Sequence, residues 1–338
     1  MKPQTEPGPT TPAADDSMQA VVQDRYGSAE VLRTARIARP AAGADEVLLR
    51  VRAAGLDRGT WHLMAGKPYA VRLAIGLRRP RLQVPGKDVA GVVVAVGAAV
   101  TRFAVGDEVF GIGVGTFAEF AVAKQDKLVP KPAGLPFAQA AVVSVSGITA
   151  LRAVADLGRV QPGHRVLILG ASGGVGSYAV QIAKALGAHV TGVCGPAKID
   201  LVRALGADHV IDYTREDFAD GRQRYDVIID IAGNPTVTRL RQALTPVGTA
   251  VLVGGEGGDR LTGMNRQLWA VARGSLIRQR VVLLTPQERA THIERLAALI
   301  DAGKVIPSLD RTYRLPEAPE AMRRLEAGEV RGKIAITV

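Results

Sequence analysis

A turn of small residues between an apolar strand and an amphipathic helix is the stretch of this sequence best suited to bind a ligand. Residues 166–170 predict the strand and residues 175–187 predict the helix. Glycines let a backbone approach a pyrophosphate, and the first turn of a helix offers free N–H groups at a positive dipole end. A plain turn without a ligand is the alternative, and the β-α repeats that follow disfavour it. The predicted dinucleotide contacts are Ala171, Ser172, Gly173, Gly174, Val175 and Gly176.

The residues after the next predicted strand, 189–194, bear on which dinucleotide would bind. An NAD enzyme usually places Asp or Glu there, about 20 residues after the glycine turn, to bind the ribose 2′-hydroxyl. Residues 193–199 contain no acid and include Lys198. A 2′-phosphate would meet no repulsion there, so we expect NADPH rather than NADH. A solvated lysine at a helix start is the other interpretation of Lys198.

The elements around this turn predict an α/β protein with two kinds of domain. Short β segments punctuated by glycines fill residues 18–136 and are typical of an irregular, partly open β-barrel. Residues 137–285 alternate strands and helices, with a helical region over 138–156 that is broken near Ser146-Gly147. Such alternation predicts a doubly wound parallel sheet, a Rossmann domain. Residues 286–338 add two helices and a strand that we expect to return to the first domain.

Composition limits the remaining classes. The 338-residue chain has one cysteine, Cys194, which excludes a disulfide framework and fits a reducing cytoplasm. No apolar stretch is long enough for a membrane span, so no membrane partner is expected. Residues 1–17 are interpreted as a disordered leader. The net charge of +11 is spread along the chain, so a nucleic-acid partner is not expected, although it stays an alternative.

Several ordered motifs carry a resemblance to a known family. They are Asp45-Glu46-Val47-Leu48, Ala53-Ala54-Gly55-Leu56-Asp57, Pro85-Gly86-Lys87-Asp88-Val89-Ala90-Gly91, Val105-Gly106-Asp107-Glu108-Val109-Phe110-Gly111 and Arg331-Gly332-Lys333, together with the glycine turn. With them the sequence resembles the medium-chain dehydrogenase/reductase superfamily, in its zinc-free quinone oxidoreductase-like branch. The resemblance implies a GroES-like catalytic domain, a Rossmann NADP-binding domain, NAD(P)H-dependent hydride transfer in the cleft between them, and a homodimer.

The same resemblance implies further cofactor contacts. Thr149 would approach the phosphate side of the nicotinamide, with a buried helical threonine as the alternative. Tyr213 would cover the adenosine end, and Lys333 would reach a phosphate or lie on the surface. Asn234 would face the ribose or belong to a plain turn, and Gly254 would end a strand at the ligand edge of the sheet.

Zinc-containing relatives place a histidine in a Gly-His-Glu stretch, where this chain has Gly86-Lys87-Asp88. Their first cysteine ligand would lie near Leu56-Asp57, and no cysteine is there. A catalytic zinc needs three N, S or O ligands. No zinc is therefore expected.

Candidates for the reacting end are Asp57, Tyr69 and Lys87. Asp57 could serve the substrate or cap a helix, Tyr69 could donate a proton or pack at the surface, and Lys87 could bind a carbonyl or form a salt bridge. We expect a zinc-independent NADPH oxidoreductase that passes hydride to a quinone or an α,β-unsaturated carbonyl. The alternatives are an NADP-dependent alcohol dehydrogenase or enoyl reductase of a biosynthetic pathway, and a non-catalytic NADPH-binding protein with an RNA or protein partner.

Overall fold

The computed structural model describes residues 16–254 and 278–338. The first fifteen residues of the predicted leader lie outside this part of the chain. Ser17, the last residue of the predicted leader, already belongs to the first strand. No helix within the described part has both the length and the apolar character that crossing a membrane requires.

The chain begins with an antiparallel pair and a larger sheet. Strands β1 (Ser17–Val22) and β2 (Arg33–Ala38) form the pair. The larger sheet begins with β3 (Glu46–Leu56), β4 (Asp88–Val96), β5 (Glu108–Ile112), β6 (Phe120–Lys124) and β7 (Leu128–Pro130). In β3, Val47, Leu49 and Val51 are buried whereas Arg50 and Arg52 are exposed, and Leu48, on the same face as the arginines, is buried. Helices α1 (Arg58–Ala65) and α2 (Arg72–Ile75) lie between β3 and β4.

A second sheet follows, and its strands are all parallel. Helices α3 (Phe137–Ala140) and α4 (Ser144–Leu151) lead into it, and α4 continues as a π-helical segment, Arg152–Leu157. The strands are β8 (Arg165–Leu169), β9 (His189–Cys194), β10 (His209–Asp212), β11 (Tyr225–Asp230), β12 (Leu244–Leu252) and β13 (Arg280–Leu283). Their spatial order, β10-β9-β8-β11-β12-β13, is that of a Rossmann fold, and it reverses between β8 and β11. Ligands bind at such a reversal, beyond the carboxyl ends of the strands.

Helices α5 (Gly174–Ala185), α6 (Ile199–Ala204) and α7 (Val237–Ala243) connect strands of this sheet. After it come α8 (Ala290–Asp301), β14 (Leu309–Arg314), α9 (Ala318–Glu326) and β15 (Lys333–Thr337). Strand β15 pairs with both β14 and β3, so the end of the chain completes the first sheet. The mixed α/β architecture, with a barrel-like sheet and a Rossmann sheet, is the predicted fold class.

The predicted break near Ser146-Gly147 is wrong, since both residues lie within α4. The helical region is interrupted earlier, between α3 and α4. Gly147 serves close packing instead, because a Cβ there would lie 2.9 Å from Leu296 Cδ1 of α8. A glycine inside a helix can mark a helix contact rather than an end.

Candidate active site

A cleft of about 950 Å³ lies where the two sheets meet. One wall comes from the carboxyl ends of β8, β9 and β11 with the loops that follow them. The opposite wall holds residues 56–58 at the end of β3 and Lys333 and Ile334 of β15. The cleft therefore joins the reversal point of the parallel sheet to residues of the first sheet, a location typical of cofactor sites.

The predicted glycine turn lies at this cleft and begins α5. Gly173 is the N-cap residue, and Gly174 and Val175 line the cleft in the first turn of the helix. The first N–H groups of a helix have no partner within it, so they are available to an anion. The turn can accordingly hold a pyrophosphate on backbone donors.

Two residues of the motif shape this turn instead of lining the cleft. Ala171 is fully buried. Gly176 packs so closely that a Cβ would lie 2.1 Å from the Gly170 carbonyl oxygen. Gly170 itself has φ +83°, a left-handed conformation that favours glycine. Ser172 is buried as well, and it lines the cleft.

Cationic side chains cluster at the end of the cleft beyond β9. Two of the predicted cofactor contacts, Lys198 and Tyr213, line this end of the cleft. The ring of Tyr213 is exposed. Arg215 and Arg239, which were not predicted from the sequence, also line this end. Arg239 pairs with Asp217 at 2.5 Å, whereas Arg215 is exposed at the turn after β10. The position of Arg215 directly after the third strand of a βαβαβ unit was a sequence signal that could have found it, whereas Arg239 lies in α7, after the fourth strand.

The Lys198 ammonium is held by the returning segment before β15. Its Nζ donates to the Gly328 carbonyl at 2.7 Å and to the Val330 carbonyl at 2.8 Å. Desolvation, together with the nearby Arg331 charge, lowers the pKa of Lys198. Two of its three N–H donors are thus directed at carbonyls, and one stays available for an anion in the cleft.

The floor of the cleft holds a buried ion pair. Lys333 Nζ lies 3.4 Å from Asp88 Oδ2 and donates to Ser146 Oγ at 3.1 Å. The side chains of Lys333 and Asp88 are 1% and 0% exposed. Asp88 Oδ1 accepts a hydrogen bond from the Val145 N–H at 2.7 Å. The pair thereby joins β4, β15 and α4 directly beneath the glycine turn, since Lys333 Cδ would lie 2.9 Å from a Cβ on Gly174.

Desolvation dominates the electrostatics of this pair. It raises the pKa of Asp88 to about 7, and the positive charge of Lys333 opposes that rise. The charge of Asp57 adds to the rise. Burial, with the nearby Asp88 charge, also raises the pKa of Tyr178, whose hydroxyl donates to the Val142 carbonyl at 3.0 Å.

Asp57 lines the cleft and also caps a helix. Its Oδ1 accepts a hydrogen bond from the Thr60 N–H at 2.8 Å, as an N-cap residue of α1 does. Its side chain is buried, and Oδ2 accepts from the Thr60 hydroxyl at 3.3 Å. The capping interpretation accounts for these contacts, while the position at the cleft wall agrees with the functional one.

Three predicted site residues lie away from the residues that line this cleft. Tyr69 is 43% exposed and packs under the Arg72 guanidinium at 4.8 Å. Lys87 forms a salt bridge with Glu288, which Lys127 also contacts at 3.4 Å. The Thr149 hydroxyl donates to the Val145 carbonyl at 2.7 Å, within its own helix. The structure thus gives these three the alternative roles of surface, salt-bridge and helical residues.

Asn234 and Gly254 lie beside the cleft without lining it. Asn234 has φ +45°, a left-handed conformation that asparagine tolerates, and its neighbours Gly233 and Pro235 form the wall. Gly254 follows β12, where a Cβ would lie 2.1 Å from the Ile231 carbonyl oxygen. Both residues shape the loops at the carboxyl edge of the sheet.

Among the described residues, the donor set does not fit a metal ion. Within residues 16–254 and 278–338, no group of three or more His, Cys, Asp and Glu side chains is arranged to hold one. Cys194 is buried, and desolvation raises the pKa of its thiol, which disfavours the thiolate that zinc requires.

Comparisons with known proteins agree with this geometry. Residues 43–133 match the family model described as alcohol dehydrogenase GroES-like domain, and residues 205–336 match the one described as zinc-binding dehydrogenase. The chain is 34% identical to the NAD(P)H oxidoreductase RTN4IP1, mitochondrial, of Mus musculus, over 97% of this chain and 91% of that protein. It is 32% identical to the chloroplast envelope quinone oxidoreductase homolog of Arabidopsis thaliana, over 94% of this chain and 98% of that protein.

The solved structures give the same result. The quinone oxidoreductase from Coxiella burnetii superposes with a TM-score of 0.83 at 29% identity, covering 95% of this chain and 99% of that chain. The chain belongs to the medium-chain dehydrogenase/reductase superfamily, in its quinone oxidoreductase-like branch. It is an oxidoreductase enzyme of the class that uses a nicotinamide cofactor.

Proposed function

We propose that this enzyme is a zinc-independent, NADPH-dependent reductase that transfers hydride to a quinone or an α,β-unsaturated carbonyl. The observation that carries the proposal is the cleft itself, which contains the N-terminus of α5 and is lined at one end by Lys198, Arg215 and Arg239. Residues 193–199 contain no acid. The acids that line this end are Glu216 and Asp217, and Asp217 pairs with Arg239. The quinone oxidoreductases among the relatives support the choice of acceptor.

The residues of the cleft fit a phosphorylated dinucleotide. Gly174 and Val175 would bind the pyrophosphate through their N–H groups. Lys198 and Arg215 would bind the 2′-phosphate, and the exposed ring of Tyr213 would cover the adenosine end. Lys333 would contribute its buried positive charge below the pyrophosphate. When bound, NADPH supplies a hydride, which the acceptor takes together with one proton from water.

The opposite wall would position the acceptor. Leu56 and Ile334 provide apolar surface, and Asp57 and Arg58 provide polar groups at its edge. A quinone or enone is already electrophilic, so the site needs to orient it and exclude competing water rather than polarise it with a metal. The salt-bridged Lys87, at the position where zinc-containing relatives have a histidine ligand, supports zinc independence. The homodimer, the cytoplasmic location and the domain limits at residues 136 and 285 stay predictions.

Cofactor preference is the property that tests this assignment most directly. NADPH and NADH oxidation with a panel of quinones, enones and alcohols should give a kcat/KM that favours NADPH and requires a quinone or enone. Lys198→Ala and Arg215→Ala should each raise the KM for NADPH about tenfold, because each removes a charge-assisted contact to the 2′-phosphate. The KM for NADH should stay unchanged in both variants.

Arg222→Ala is the matched control, since this arginine is 90% exposed in its side chain, pairs with Asp220 and does not line the cleft. It should leave both KM values unchanged. Equal efficiency of the native enzyme with NADH would contradict the NADPH assignment. Turnover of alcohols alone would contradict the proposed acceptor class.

A further inference from the structure

An exposed loop outside the cleft combines leucines with arginines. We call residues 72–82, which include α2, the Arg–Leu loop. Leu73, Leu77 and Leu82 are 74%, 67% and 63% exposed, and no other leucine in the described part of the chain is exposed. Arg78, Arg79 and Arg81 are exposed between them. Large apolar side chains gathered at one exposed place indicate an interaction surface.

The charges within the sequence around this loop have a single sign, and Asp24, which lines the same surface pocket as Arg79 and Arg81, pairs with Arg33 at 2.8 Å. Residues 58–87 contain seven Lys or Arg residues and no Asp or Glu. Electrostatic attraction would therefore favour a polyanionic partner at this surface.

Specific contacts hold the Arg–Leu loop in this conformation. The Tyr26 hydroxyl donates to the Gly76 carbonyl at 2.5 Å, and the Arg81 N–H donates to the Ile75 carbonyl at 2.8 Å. The Arg72 guanidinium donates to the Gly66 carbonyl at 2.9 Å and covers the Tyr26 ring at 4.4 Å. The leucines are accordingly presented on a loop that the fold fixes in place.

We propose that the Arg–Leu loop docks on the surface of a bilayer that contains anionic lipid. Arginines near such a surface are attracted to phosphate headgroups, and leucines beside them can enter the boundary with the acyl chains. The loop has no aromatic residue on which RNA bases would stack, and the like charge of Arg78, Arg79 and Arg81 opposes pairing of this loop with the same loop of a second copy. The expectation of no membrane partner rested on the lack of a spanning segment, and a peripheral contact of this kind needs none.

The position of the loop gives the contact a use, which rests on the proposed function. The chain reaches the loop from residues 56–58 in the cleft wall, and it leaves the loop towards Asp88, the buried partner of the cleft residue Lys333. A lipophilic quinone is concentrated in bilayers. Docking through this loop would bring the enzyme to the phase in which such an acceptor resides.

The test is sedimentation of the full-length protein with vesicles of phosphatidylcholine, or of phosphatidylcholine and phosphatidylglycerol in equal amounts. The native protein should bind the anionic vesicles and lose this binding at high salt. The first loop variant is a triple substitution, Arg78→Gln, Arg79→Gln and Arg81→Gln. Its partition onto the anionic vesicles should be about a hundredfold weaker than that of the native protein. The second loop variant combines Leu73→Ser, Leu77→Ser and Leu82→Ser. Its partition onto the anionic vesicles should be about tenfold weaker than that of the native protein.

The control for the leucines is Val105→Ser with Val247→Ser and Ile306→Ser, because these side chains are 64%, 67% and 65% exposed elsewhere. This control should bind like the native protein. Equal binding to both vesicle types, or unchanged binding of the two loop variants, would overturn the proposal. So would a failure to bind vesicles accompanied by RNA binding, or by a self-association that the leucine substitutions abolish.

Reduction of a water-soluble quinone without vesicles separates this proposal from the proposed function. All three variants should keep that activity, since none of the changed residues lines the cleft. Vesicle binding without quinone turnover would support the docking surface and contradict the assigned reaction. Turnover without vesicle binding would overturn the docking surface alone.

Discussion

The buried pair Lys333 and Asp88 places a positive charge at the cleft, and its burial lowers the stability of the folded protein. Both side chains are almost completely removed from water. Taking two charges out of water costs free energy that their mutual attraction regains only in part. The raised pKa of Asp88 expresses this imbalance, because burial outweighs the opposing charge of Lys333.

This imbalance predicts a pH-dependent stability. The pKa of Asp88 is about 7 in the folded protein and near 3.8 without burial, so between these values the folded protein keeps a proton that the unfolded chain has released. The contribution of Asp88 to the free energy of unfolding is therefore greatest below about pH 4 and falls as the pH rises to about 7. Relative to Asp88→Asn, which cannot titrate, the native protein should lose stability across this interval. Urea unfolding at a series of pH values measures the difference.

Asp45→Asn supplies a control of opposite sign. A hydrogen bond from Lys124 lowers the pKa of the exposed Asp45, so its contribution is present above the ordinary pKa and is lost as the pH falls further. The difference in the free energy of unfolding between Asp45→Asn and the native protein should therefore stay constant between pH 5 and pH 7. A stability difference between native protein and Asp88→Asn that does not change with pH would disprove the raised pKa.

At the residue scale, the sequence identifies side chains that could act in the site, but it does not identify the residues that they contact. Lys333 was selected as a residue that could reach a phosphate, whereas its contact with Asp88 joins positions that are 245 residues apart. Such a contact depends on the pairing of β15 with β3, which no local pattern specifies. Lys87 and Tyr69 were selected because they lie near recognisable motifs. Their side chains contact Glu288 and Arg72 instead, because proximity along the chain does not fix direction.

At the scale of elements, the turn before α5 is the part that sequence predicted best. Its glycines, the strand before it and the helix after it all follow from local periodicity and turn chemistry, which depend on neighbouring residues only. Arg215 and Arg239 were missed because they reach the cleft from separate parts of the chain, the loop after β10 and helix α7. Loops that converge at a sheet edge are distant in sequence, so spacing does not reveal them.

The two glycines of this turn should respond differently to substitution. Gly176→Ala places a Cβ 2.1 Å from the Gly170 carbonyl oxygen, so the helix must move away from the turn. We expect a loss of about 1–3 kcal/mol in the free energy of unfolding and weaker NADPH binding. Gly173→Ala should change stability by only a few tenths of a kcal/mol, since the nearest atom is the Gly170 carbonyl oxygen at 3.6 Å. Denaturant unfolding and cofactor titration of both variants measure these effects.

Comparable losses of stability in the two variants would show that close packing at Gly176 is not what the turn requires. Gly134→Ala is the control for replacing a glycine that has no close neighbours, because nothing lies within 4 Å of a Cβ there. It should leave NADPH binding unchanged.

At the scale of the whole molecule, the cleft is built from parts of the chain that belong to different sheets. Lys198 follows β9 and bonds to carbonyls before β15, while Arg331 reaches Asp200 of α6 at 2.6 Å. Strand β15 pairs with β3 on one side and with β14 on the other, so the last segment of the chain adds to the first sheet. Stability of the molecule and occupancy of the cleft are consequently linked.

This linkage predicts that NADPH stabilises the entire folded chain, whereas removal of metal ions does not affect it. A ligand present at about 100 times its Kd adds about 2.7 kcal/mol when it binds the folded state alone, which corresponds to a rise in Tm of about 5 °C. NADH should require a higher concentration for the same rise, because it lacks the 2′-phosphate that Lys198 and Arg215 would bind. Treatment with EDTA should change neither Tm nor quinone reduction, since no donor cluster of the described residues suits a metal. Thermal unfolding followed by circular dichroism measures the Tm with NADPH, with NADH and with EDTA, and a fall in Tm with EDTA that zinc restores would refute the proposed zinc independence.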